Sequence, residues 1–92
     1  MSVTESTASL LARIFRLAVQ VPRPAADIFL QYVSNSNEHR LIVSCYHGTT
    51  GVGALPDAEV IIDLSSPDAE RMAREAVATV EAFLAQCVSA AA

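Results

Sequence analysis

Ninety-two residues with ten acids against six bases carry a formal net charge of −4, and 52% of them are hydrophobic against 17% charged. That length holds one domain, residues 1–92, whose core is only just large enough to fold alone, and the apolar fraction excludes disorder for most of the chain. All six bases are arginine (Arg13, Arg16, Arg23, Arg40, Arg71 and Arg74) and lysine is absent, which excludes a basic surface for nucleic acid or an anionic membrane.

A sphere this small cannot hide so much apolar surface, so part of it is expected to face a protein partner or a second copy. Arg13 and Arg16 interrupt the longest apolar run, so no membrane span is expected. Met1-Ser-Val-Thr-Glu5 lacks the basic-then-apolar pattern of a secretory signal. Cys45 and Cys87 have no Cys-x-x-Cys spacing, which fits a reducing, cytoplasmic compartment; whether they meet in space is open.

Residues 1–9 are polar and small, and are expected to fray. From Ala12 to Val21 two periods compete. Phe15, Leu17, Val19 and Val21 alternate with polar or small residues, as in a half-buried strand, while Leu10, Leu11, Ile14, Leu17 and Val21 share one side of a helix. The reading adopted is a short helical or irregular lead-in to about Ala12, then a strand ended by Pro22-Arg-Pro24. Next, Ile28-Phe-Leu-Gln-Tyr-Val33 and Arg40-Leu-Ile-Val-Ser-Cys-Tyr46 flank the polar turn Ser34–His39, which predicts a β-hairpin over 27–46. The rival is a helix opening at Pro24 with Ala25, Ile28, Phe29, Tyr32 and Val33 as its apolar stripe.

Residues 48–57 hold all three glycines and are expected to form a flexible loop. Glu59–Leu64 reads as a short strand. Ser66 then caps a helix over about 67–88, with Pro67 at its first position and Asp68 and Glu70 against the helix dipole. Met72, Ala73, Ala76, Val77, Val80, Phe83, Leu84, Cys87 and Val88 form its core stripe. The opposite face carries Ala78, Ala82, Ala85 and Ser89, small enough to receive a partner helix closely; these four are the candidate partner-binding residues. The bland alternative is an exposed surface of high helix propensity.

Chemistry is thinly represented. Cys45-Tyr46-His47 places a thiol and an imidazole on one strand face, yet no carboxylate obviously orients the imidazole, and a mid-strand cysteine reads as a small core residue. His39, His47 and Cys45 lack the paired spacing of a zinc site. Gly48-Thr-Thr-Gly-Val-Gly53 is followed by a strand rather than a helix, and no lysine is available to it, unlike a phosphate cradle. Asp57, Glu59 and Asp63 read as carboxylates on a solvated sheet face. No catalytic residue, metal or cofactor is expected.

With the hairpin accepted, the order strand, strand, strand, glycine-rich loop, strand and long helix over about residues 13–87, with Glu59-Val-Ile-Ile-Asp-Leu-Ser-Ser-Pro-Asp68 leading into the helix, resembles proteasome assembly chaperone 3. That likeness implies a non-enzymatic protein that pairs with a similar chaperone and binds proteasome α-type subunits. The helical reading of 24–33 instead resembles HPr-type phosphocarriers through Arg23-Pro-Ala-Ala26, but Val21-Pro22 stands where that family has its phosphorylated histidine. The expected protein is therefore α+β, an antiparallel sheet of three to four strands with the 67–88 helix on one face. It works by protein–protein contact, as a dimer or with another chain. A degenerate phosphocarrier or a small thiol enzyme using Cys45 and His47 is the alternative.

Overall fold

The computed structural model describes residues 3–48 and 55–91, with the side chains of 89–91 left out. Among the described residues the order is helix α1 (Glu5–Ala18), strands β1 (Ala26–Ser34), β2 (His39–His47) and β3 (Ala58–Asp63), and helix α2 (Ala69–Ala91). The strands form an antiparallel sheet in the order β1-β2-β3. This is the α+β architecture expected, with the long C-terminal helix on one face.

The first element corrects the sequence reading. Residues 13–21 are not a strand, and residues from Glu5 onward are not frayed, because α1 runs unbroken to Ala18. Thr4 caps it, its Oγ1 accepting from the Thr7 amide at 3.1 Å, and Glu5 faces the positive end of the dipole. The helical stripe wins over the alternating one because Ile14, Ala18 and then Val21 reach the common core. As a strand, the segment would have had to find an edge of the sheet. The strand that the chaperone likeness needed first is therefore a helix, and the sheet has three strands among the described residues.

The hairpin holds. Ala26 lies opposite His47 and Ser34 opposite His39. The turn is closed by Asn35, whose Oδ1 accepts from the amides of Asn37 and Glu38, both at 2.8 Å. This Asx arrangement is what the Ser-Asn-Ser-Asn segment offers a tight reversal. The helix that the phosphocarrier likeness needed over 24–33 is thus strand β1. At the far end of β2, Gly48 has φ +82°, a conformation that costs glycine nothing. Residues 49–54 of the expected loop lie outside the described residues.

Alternation sorts the sheet into two faces. Ala26, Ile28, Val43, Cys45 and Ile62 point inward and are buried with Ile14 of α1 and with Ala73, Ala76, Val80 and Phe83 of α2. The α2 stripe is thus oriented as expected, although Val88 at its end is exposed. Ser66 accepts from the Asp68 amide at 3.0 Å, so its hydroxyl serves the turn that enters α2, three residues before the first helical position. The helix opens at Ala69 rather than at Pro67, because residues 67 and 68 complete that turn. The two helices lie together on the inner face, joined at their rim by Arg13–Glu81 at 2.6 Å. On the solvent side of α2, Arg71 pairs with Glu75 and Arg74 with Glu70, the i,i+4 spacing that an exposed helix face favours.

Candidate functional site

Three places merit examination: the thiol–imidazole region, the small-residue face of α2 and the outer face of the sheet. At the first, the side chains of Cys45 and His47 both point inward on β2. His47 lies at the rim, its ring tilted against Phe83 with centroids 4.6 Å apart. A carboxylate does orient it. Asp57 Oδ2 accepts from the His47 amide at 2.6 Å and stands 3.2 Å from Nδ1. The sequence reading left Asp57 without a partner. Extending the β2–β3 register beyond Ala58, which faces Cys45, sets Asp57 opposite Tyr46. It reaches His47 because its amide instead bonds the Cys45 carbonyl at 2.8 Å, a local departure that no sequence pattern marks.

The thiol itself is badly placed for chemistry. Cys45 is fully buried, and burial, followed by the neighbouring Cys87 and Asp57, pushes it up to about 11. A nucleophilic cysteine needs the opposite shift; here roughly one thiol in ten thousand would be ionised at neutral pH. Cys87 is also buried, and both cysteines are free. No hydrogen bond joins Cys45 to His47 among the described residues. His39 is carried to the other end of β2, where its Nε2 is 2.7 Å from the Tyr32 hydroxyl, so the structure does not bring the two histidines together.

On α2, Ala78, Ala82 and Ala85 are all exposed, on the side away from the sheet. Ser89 continues the helix, but its side chain lies outside the described residues. The structure therefore presents three of the four candidate residues as one smooth strip.

The outer face of the sheet carries more apolar surface, and the sequence reading did not single it out. Phe29, Val33, Ile42, Tyr46 and Ile61 share this face by register, and among the described residues no element covers it. Phe29 and Ile61 are 48% and 46% exposed. Phe29 meets Tyr46 edge to face at 5.6 Å, and in the middle Ser44 is buried, donating to Glu59 at 3.0 Å. The available signal was period: residues 28–33 and 40–46 are apolar almost continuously, whereas a strand with one wet face alternates. Among the described residues, hollows lie near the ends of the fold, including a charged one of about 320 Å³ where Glu38, Arg40 and Asp63 surround Ile61. Another of about 290 Å³ lies between the starts of α1 and α2, and an apolar groove of about 320 Å³ lies between α1 and the sheet.

Compared with family models, curated proteins and solved structures, the chain matches none. The site geometry is therefore the ground on which a function can be argued. No described helix is long and apolar enough to cross a membrane.

Proposed function

We propose that this chain is a protein-binding module that acts through contact rather than chemistry. The observation carrying it is the outer sheet face, where Phe29, Val33, Ile42, Tyr46 and Ile61 have no covering layer among the described residues while both helices pack on the other side. These side chains are interleaved with Gln31, Arg40, Glu59 and Asp63 on the same face, and such a mixed apolar and polar surface is what a protein partner usually covers. The strip Ala78, Ala82 and Ala85 is a second surface suited to a closely packed helix. In its narrower form the proposal is an assembly chaperone for proteasome α-type subunits, working beside a similar chaperone in the cytoplasm, where two free cysteines stay reduced.

A test compares capture by the tagged wild-type chain with capture by Ile61→Lys and by Ala82→Arg, each first shown to unfold cooperatively. Ile61→Lys should lose most of the retained partner, because it sets a charge beside Ile42 on the apolar part of this face. Retention unchanged by both substitutions would overturn the proposal. Proteasome α subunits or a second small chaperone among the retained proteins would support the narrower form.

The thiol-enzyme alternative gains one observation, the Asp57–His47 pair, and is opposed by the upward shift of Cys45. A Cys45→Ala, His47→Ala double variant that retains cellular activity would eliminate it.

A further inference from the structure

The two edges of the sheet differ. In an antiparallel ladder, residues alternate between pointing their backbone groups toward the neighbour and away from it. Gly48 donates to the Ala25 carbonyl and Asn35 to that of Glu38, so the odd-numbered residues of β1 face β2. The even-numbered ones, Ala26, Ile28, Leu30, Tyr32 and Ser34, face the free edge. The first two amides are already occupied: Ala26 donates to the Pro22 carbonyl at 3.1 Å and Ile28 to Asp27 Oδ1 at 2.9 Å, with Arg23 holding that carboxylate. Leu30, Tyr32 and Ser34 are left with both backbone groups unpaired among the described residues, in the uncharged run Leu-Gln-Tyr-Val-Ser.

Such an edge is normally guarded by lysine, proline, a bulge or an inward charge, and this segment has none of them. The β3 edge is guarded. Its outward residues are Glu59, Ile61 and Asp63, so a symmetric pairing about Ile61 would set Glu59 against Asp63 of the other copy, a repulsive arrangement. The apolar surface is also distributed unevenly. Phe15 and Tyr32, 62% and 60% exposed, line the groove between α1 and the sheet with Leu11, Leu30 and Leu41. They therefore crowd the same side of the molecule as the unpaired amides.

We infer that this edge is closed by a second copy of the chain: β1 pairs antiparallel with its twin about a two-fold axis at Tyr32, joining the two sheets into one of six strands. In that register Tyr32 faces Tyr32, and Leu30 faces Ser34 in both directions. All three residues have free donors and acceptors, and each facing pair exchanges two backbone bonds. Asp27 stays outside the paired segment. Phe15 and Tyr32 of each copy fill the space between the two α1 helices. Overlap from Leu30 to Ser34, the strand residues with free backbone groups, makes a seam about 17 Å long. With the helix layer stacked about 10 Å above the sheet, the wall offers roughly 340 Å² per copy, the size of a weak contact that forms only as concentration rises. The inference deepens the protein-binding reading by naming the partner of one surface. Its test uses the purified chain alone, so its failure is distinguishable from failure of the capture experiment.

The measurement is sedimentation velocity over a wide concentration range. Wild type should move from 9.8 kDa toward twice that mass as concentration rises. Tyr32→Pro should remain a single chain at every concentration, because proline removes an outward amide while leaving the β1–β2 ladder intact. Should that variant misfold, Tyr32→Cys provides a second test. Facing residues of a bonded pair have Cα atoms about 5.5 Å apart, within disulfide reach, so mild oxidation should cross-link it quantitatively, while Ile61→Cys should not. A wild type that stays monomeric throughout, a dimer that survives Tyr32→Pro, or a Tyr32→Cys chain that cross-links no better than Ile61→Cys would overturn the inference.

Discussion

Val80 and Cys45 show what single side chains contribute here. Val80 is fully buried at the contact of α2 with the sheet, and an aspartate there would carry a charge with no partner into the core. Val80→Asp is expected to destabilise by about 4 kcal/mol or more, the range reserved for an uncompensated buried charge, and to abolish the cooperative urea transition followed by circular dichroism. Cys45 is expected to show itself through pH. Its thiol is raised from 9.0 to about 11 in the fold, so the unfolded chain loses this proton first. The stabilisation is complete below pH 9 and is lost as pH rises from 9 to 11, by about 3 kcal/mol in all. Urea midpoints measured across that window should fall in wild type and fall less in Cys45→Ala.

At the scale of elements, the local signals agree with the fold at each turn where a side chain closes the backbone. Asn35 satisfies two amides of the hairpin, and Asn35→Ala should cost about 1 kcal/mol. Thr4→Ala should cost about the same at the start of α1. Thermal unfolding of both variants checks these values. The α1 result has a larger consequence. Because Ile14 and Ala18 are part of the common core, a chain truncated before Ala18 should lose its cooperative transition. Had residues 13–21 been an edge strand after a frayed leader, removing residues 1–9 would have been harmless. Here that cut takes away the cap and first turn of a core helix.

For the molecule as a whole, the arrangement is a sheet with two helices on one side and nothing described on the other. This explains why an apolar-rich composition coexists with so small a core. Exposed apolar side chains lie on the outer face at Phe29 and Ile61 and on the flank of β1 at Phe15 and Tyr32, while Val19, Leu55 and Val88 stand exposed apart from both. A substitution on one surface should leave the other function intact. Ile61→Lys is expected to abolish partner capture while the concentration-dependent mass of the purified chain is unchanged, and Tyr32→Pro is expected to show the reverse split where capture needs only one copy. Sedimentation and capture performed on the same two variants separate the surfaces.

Several features could be read in the residues themselves. The hairpin, the short third strand, the long helix and the rotation of its core stripe are all specified by near neighbours: turn chemistry at Asn35, proline at position 67, apolar spacing from Ala73 to Cys87. Such signals act within a few residues, so they survive without the rest of the fold. Residues 10–21 were ambiguous because Leu17 and Val21 satisfy both periods, and only a core that receives Ile14 and Ala18 decides between them. Asp57 reached His47 through a local departure from the pairing between strands, and the outer face became a surface because both helices chose the other side. Those outcomes depend on long-range packing, which no window of sequence contains.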